Sequence, residues 1–137
     1  ASMAAIALLV GGCSGTGEST ADAAPTRPPL TADENTKYAS KLSDQIQPCV
    51  GLRAFTRSCS DAIESTLITL DSYGSKVSDD NPKTRASVQD SVTRLSYWRD
   101  ACVDAPQGTP AYLDCVRTLI TEGTATEPTF TWQQENH

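Results

Sequence analysis

Histidine is almost missing from this 137-residue chain: a single one occurs, at His137. A Ser/His/Asp or Cys/His constellation, or a histidine-based metal centre, has little to be built around. The nucleophile elbow G-x-S-x-G, the P-loop and the dinucleotide-binding glycine pattern are missing too. No cofactor is therefore expected. Basic residues are outnumbered, 11 against 17 acidic, which gives a net charge of −6, and they are scattered singly along the chain. That argues against the basic stripe of a nucleic-acid-binding domain and predicts no polybasic patch. Long apolar runs are lacking as well. The one sustained run, Met3 to Val10, is too short to cross a bilayer core of ~30 Å. Strand-like alternation and repeats of fixed period do not occur.

Val10-Gly11-Gly12-Cys13 closes that apolar run and opens a long polar segment. An apolar run, two small residues and a cysteine resemble the lipobox of bacterial lipoprotein signal peptides. The resemblance implies cleavage before Cys13, so residues 1–12 are the remnant of a leader. It also implies a diacylglycerol on the Cys13 sulfur and a mature protein anchored on the extracytoplasmic face of the bacterial cell membrane. Leaders open on a positive region. No Lys or Arg precedes Cys13, so the start of the leader is expected to be missing. Residues 14–30 (SGTGESTADAAPTRPPL) are small, polar and proline-rich without apolar periodicity. With Cys13 they read as a flexible tether, 13–30, with a coil reach of roughly 20–25 Å.

Residues 31–123 read as one all-α domain, an antiparallel bundle of three to four helices. Thr31 and Glu34 form a capping-box pattern, and Tyr38, Leu42 and Ile46 make one stripe before Pro48. Leu52, Phe55, Cys59, Ile63, Leu67 and Leu70 make the clearest amphipathic stripe, expected to fade at Tyr73-Gly74 because glycine is the usual left-handed stop. Asn81-Pro82 suggests a cap followed by proline at the first helical position. Val88, Val92, Leu95, Trp98 and Cys102 follow at helical steps, with Asp90 and Arg94 placed as an i, i+4 pair. Thr109-Pro110 repeats the cap-and-proline signal ahead of Tyr112, Cys115, Val116, Leu119 and Ile120, and Gly123 is expected to end that helix. The remainder, 124–137, is a polar tail holding Phe130 and Trp132, either disordered or laid over the bundle.

Four cysteines fall in the domain: Cys49, Cys59, Cys102 and Cys115. An even number in an exported chain of this size predicts two disulfides, and the wide spacings do not suit zinc. An antiparallel hairpin about residues 75–81 brings Cys59 level with Cys102, with Cys49–Cys115 outside them, and this nested pairing is the expectation. Local pairing, Cys49–Cys59 and Cys102–Cys115, stays open. It needs a break, because ten residues of unbroken helix span about 15 Å. The weak box Ser58-Cys59-Ser60-Asp61 is one place for it.

Chemistry is sparse. Asp100, Asp104 and Asp114 are the carboxylates that could serve a glycan hydrolase if they converge. Tyr97-Trp98-Arg99-Asp100 is the most distinctive cluster: Trp98 fits the core stripe, while Tyr97 and Arg99 face outward as contact residues. Phe130 and Trp132 in the tail are the other candidate contacts. Arg99-Asp100-Ala101-Cys102, followed by a glycine-containing turn and Cys115, resembles the mycobacterial lysozyme-inhibitor lipoproteins, small exported helical domains with four cysteines. The pattern departs from theirs in having one residue fewer between Asp100 and Cys102, and Leu95 where a Trp is usual. The resemblance implies local disulfide pairing and, as one alternative function, lysozyme inhibition. The main expectation is a non-enzymatic, membrane-anchored module that binds a protein or cell-envelope partner; a purely structural lipoprotein is a further reading.

Overall fold

The computed structural model describes residues 28–137, which form helices and turns, with no strand among them. The expected leader 1–12, acylation at Cys13 and most of the tether lie outside the described residues. The elements are α1 (Ala32–Ile46), α2 (Arg57–Lys76), α3 (Pro82–Ala101), the short α4 (Pro110–Arg117) and α5 (Glu122–Glu135). Two 3-10 turns, Gln47–Cys49 and Gly51–Phe55, join α1 to α2. The four long helices close a ring in which α1 packs on α2 and α5, and α3 packs on the same two. Neighbours run antiparallel. Lys76, the last residue of α2, meets Glu34 in the first turn of α1, and Glu135 at the end of α5 meets the start of α3. The expected all-α antiparallel bundle with two disulfides is the observed fold.

Two apolar clusters fill the ring. The larger gathers Leu42, Ile46, Ile63, Leu70, Leu95 and Trp98 with all four cysteines. The smaller joins Leu30, Tyr73, Val77, Val88 and Trp132 at the end where the chain enters α1. Leu30 is thus core, and the expected tether stops short of it. The capping box forms as the sequence suggests: Glu34 N–H donates to Thr31 Oγ1 at 3.1 Å, and Thr31 N–H donates to Glu34 Oε2 at 3.0 Å. The Asp90–Arg94 pair also forms, at 3.6 Å.

The disulfides are local, Cys49–Cys59 and Cys102–Cys115, and not nested. The break that local pairing requires lies ahead of the Ser58 box. Pro48 and Gly51, the latter at φ 72°, turn the chain through the two 3-10 segments, and α2 begins only at Arg57. The Cα atoms of Cys49 and Cys59 then lie 4.5 Å apart. The same turn carries Leu52, placed on the α2 stripe by its spacing, out to 84% exposure.

Three helix ends also depart from expectation. Gly74 is not a stop. It lies inside α2, where a Cβ would come 3.2 Å from Val88 Cγ1, so its missing side chain permits close approach of α3. Asn81 precedes Pro82 as foreseen, but its side chain makes no capping bond. Glu135 caps α3 instead, accepting from the N–H groups of Lys83 at 2.9 Å and Thr84 at 2.7 Å, and from the Thr84 hydroxyl. Gly123, expected to end a helix, sits in the first turn of α5, and the polar tail is itself that helix, packed against α1 and α3.

α5 buries threonine in place of aliphatic residues. Thr124, Thr126 and Thr129 are buried. The hydroxyls of Thr126 and Thr129 donate to carbonyls one turn back, Glu122 O at 3.1 Å and Thr126 O at 2.7 Å, so both are satisfied within the helix. Pro128 lies within the helix, and neighbouring carbonyls take partners from other helices: Asn35 Nδ2 donates to Thr129 O at 3.0 Å, and the Tyr73 hydroxyl lies 3.3 Å from Pro128 O.

Candidate functional site

The residues singled out in the sequence do not form one site. Tyr97 is 48% exposed on α3. Arg99 is pinned: its Nε donates to Asp100 Oδ1 at 2.8 Å and its Nη1 to Glu64 Oε1 at 3.0 Å, tying α3 to α2. These hydrogen bonds, with Asp100 first, raise the guanidinium pKa, and the Arg99 bond lowers that of the Asp100 carboxyl. These contacts bridge the two helices at the surface and leave Arg99 few donors for a partner. Trp98 is core, with its indole N–H donating to Ala54 O at 3.0 Å.

Trp132 is buried at 8% exposure, in the smaller cluster with Leu30 and Tyr73, and offers no contact surface. Helical phase explains the split between the two tail aromatics. Phe130 lies two residues away, about 200° around α5, and is 54% exposed, beside Ser40, Ser43 and Thr126 in the α1–α5 furrow.

Asp100, Asp104 and Asp114 are all exposed, and two of them have separate arginine partners: Arg99 for Asp100, and Arg117 at 3.5 Å for Asp114. Arg99 lowers the pKa of the Asp100 carboxyl, which does not suit a general acid. Among the described residues no group of three or more His, Cys, Asp or Glu is placed to hold a metal, and no helix is long and apolar enough to cross a membrane.

What the fold does assemble is a groove of about 530 Å³ between α1 and α2. Glu34, Lys37, Tyr38 and Lys41 line it from α1, and Ile68, Thr69, Ser72 and Lys76 from α2. Lys37 and Lys41 share a face because they are four residues apart. Lys76 joins them only because α2 runs antiparallel. Three of the chain's four lysines therefore meet in one groove, against one carboxylate in its lining. This corrects the expectation that no basic patch exists.

Each group in the groove has a defined state. Lys37 Nζ lies 2.9 Å from Asp33 Oδ2 on the flank, and that hydrogen bond raises its pKa. Lys76 Nζ lies 3.2 Å from Glu34 Oε1 and 5.8 Å from the Tyr38 ring centroid. Glu34 is held below the usual carboxylate value first by the Thr31 N–H and then by Lys76. Lys41 belongs to none of the ion pairs among the described residues. The Tyr38 hydroxyl and Ser72 Oγ join across the groove at 2.8 Å. Ile68, 71% exposed, is the apolar element at the edge. The groove therefore presents three ammonium groups, two of them paired with carboxylates, beside one aliphatic side chain, with no arginine fork.

In comparisons with known proteins, no family model matches the chain, and neither a curated protein nor a solved structure is found to be similar to it.

Proposed function

We propose that this protein is a lipid-anchored extracytoplasmic lipoprotein whose helical domain is a non-enzymatic binding module for a protein or cell-envelope partner. The observation that carries the reading is the pair of buried disulfides, Cys49–Cys59 and Cys102–Cys115, in a chain that carries Val10-Gly11-Gly12-Cys13. Disulfides persist outside the reducing cytosol, and the lipobox-like motif supplies both the export route and the anchor. A diacylglycerol gives two chains, which hold a protein firmly where one holds it marginally. The binding surface in this reading is the α1–α2 face, since Trp132 belongs to the core. Mass spectrometry of the protein from a membrane fraction should find an acylated Cys13 as the N-terminus and no free thiol on the four domain cysteines. Four free thiols on an unacylated chain would remove the proposal.

One observation favours a second reading, inhibition of a wall-degrading lysozyme. The local disulfide pairing is the one implied by the resemblance around Arg99-Asp100-Ala101-Cys102. A lysozyme turnover assay with the added domain tests it, and undiminished activity at micromolar protein would exclude it.

A further inference from the structure

We infer that the α1–α2 groove is a docking surface for an anionic phospholipid bilayer, which lays the bundle on the membrane along this face. The inference deepens the proposed membrane location and rests on it for the identity of the occupant. Four observations carry it. Lys37, Lys41 and Lys76 converge against Glu34 in the lining and Asp33 on the flank, so the groove keeps a local positive excess in a protein whose net charge is −6. α5, on the other flank of α1, carries Glu122, Glu127 and Glu135 and no basic residue, so the lysines of α1 have no counterpart on that flank. Ile68, exposed beside the ammonium groups, supplies an aliphatic group at headgroup depth. Finally, the groove begins where the chain enters the fold: Leu30 packs with Val77, the neighbour of Lys76, and Thr31 caps the helix that bears Lys37 and Lys41.

The chemistry favours a headgroup surface over a folded acidic partner. Lysine is a hydrated, movable point charge that suits a diffuse layer of headgroup phosphates, whereas the planar arginine fork grips one fixed carboxylate or phosphate on a folded partner. No arginine lines this groove. A protein interface also needs a central apolar anchor, usually aromatic, in a closed pocket. Here the edge offers Ile68 alone, and the Tyr38 hydroxyl is bonded to Ser72. The exposed Lys37–Asp33 and Lys76–Glu34 pairs are individually weak, so both ammonium groups can turn to phosphates.

The test uses the mature chain, residues 13–137, with both disulfides formed and Cys13→Ser to remove acylation, so that neither the apolar leader nor the anchor contributes. Sedimentation with vesicles of mixed phosphatidylglycerol and phosphatidylcholine is compared with phosphatidylcholine alone. The expected result is preferential binding to the anionic vesicles that weakens as salt shortens the Debye length below about 10 Å. Lys37→Gln/Lys41→Gln/Lys76→Gln should weaken it by at least about tenfold, since a lysine near an anionic surface contributes roughly a fivefold factor. The corresponding triple Arg variant should retain it, and near-ultraviolet circular dichroism should show both variants folded. Equal binding to both vesicle types, or a Gln variant that binds as well as its parent, overturns the inference. So does salt-sensitive capture on immobilised polyglutamate without preference for anionic vesicles, which would assign the groove to an acidic peptide. Acyl analysis of Cys13 reports on the anchor alone, so failure of the groove and failure of the anchor are told apart.

Discussion

Tyr73 places a phenol in the middle of an apolar bundle, fully buried, and the surroundings accommodate it through one hydrogen-bonded cluster. Its O–H donates to Asn35 Oδ1 at 2.7 Å, while Asn35 Nδ2 donates to Thr129 O, so α2, α1 and α5 meet at three polar groups. Burial pushes the phenol pKa well up, so it remains a donor. Tyr73→Phe keeps the ring and leaves Asn35 Oδ1 without its donor, which costs about 1–3 kcal/mol. The urea midpoint should fall accordingly, with an unchanged slope. The tail aromatics separate in the same way. Trp132→Ala empties a core position and should cost about 3–5 kcal/mol, whereas Phe130→Ser on the open face should change stability by less than about 0.5 kcal/mol. Thermal melts of the two variants check both. Sequence spacing put Trp98 in the core correctly. It could not place Trp132, because the apolar neighbours that would set its phase on α5 are threonines.

α5 is the element that the sequence conceals most. Its threonines carry no apolar stripe, and Pro128 argues against a helix. Tertiary contacts override both signals: the threonine hydroxyls bond within the helix, and Asn35 and Tyr73 reach carbonyls beside the proline. Its last turn also completes α3, through Glu135. Partial desolvation pulls the Glu135 carboxyl up, but the hydrogen bonds from the Thr84 hydroxyl and the Lys83 and Thr84 N–H groups outweigh it and hold the pKa below the ordinary 4.5. Since the folded value is the lower one, the ionised group stabilises the fold above pH 4.5, and that contribution is lost as pH falls through the folded value. Glu34 and Asp100 have the same sign. The melting temperature should therefore drop on acidification. Glu135→Gln should lower it by several degrees near neutral pH and flatten the acid slope, as pH-dependent melts would record.

At the scale of the molecule, the disulfides fix the loop that precedes α2 and the turn that follows α3. Both loops are short, with sequence separations of 10 and 13, so their chain-entropy contributions should differ by only about 0.2 kcal/mol. Replacing either pair by alanine should cost about 2–4 kcal/mol, and near-equal values from denaturant titration would support an entropic origin. Trypsin under non-reducing conditions distinguishes the pairings. Local bridges leave Leu42–Arg53 joined to Ser58–Lys76, with Cys102 and Cys115 closed within the single peptide Asp100–Arg117. Nested bridges would join Asp100–Arg117 to both other peptides.

The sequence by itself determined the helical class, the stripes of α1, α2 and α3 and the capping box at Thr31. These follow from periodicity and residue type, which act over a few neighbouring positions. It did not determine the disulfide partners, because a hairpin brings Cys59 and Cys102 level as readily as Pro48 and Gly51 fold Cys49 back. Nor did it determine the α5 helix, the Glu135 cap on α3 or the lysine groove. Lys76 lies 35 residues from Lys41, and Glu135 lies 51 from Thr84. Their positions in space depend on the packing order of the four long helices, which local pattern does not encode.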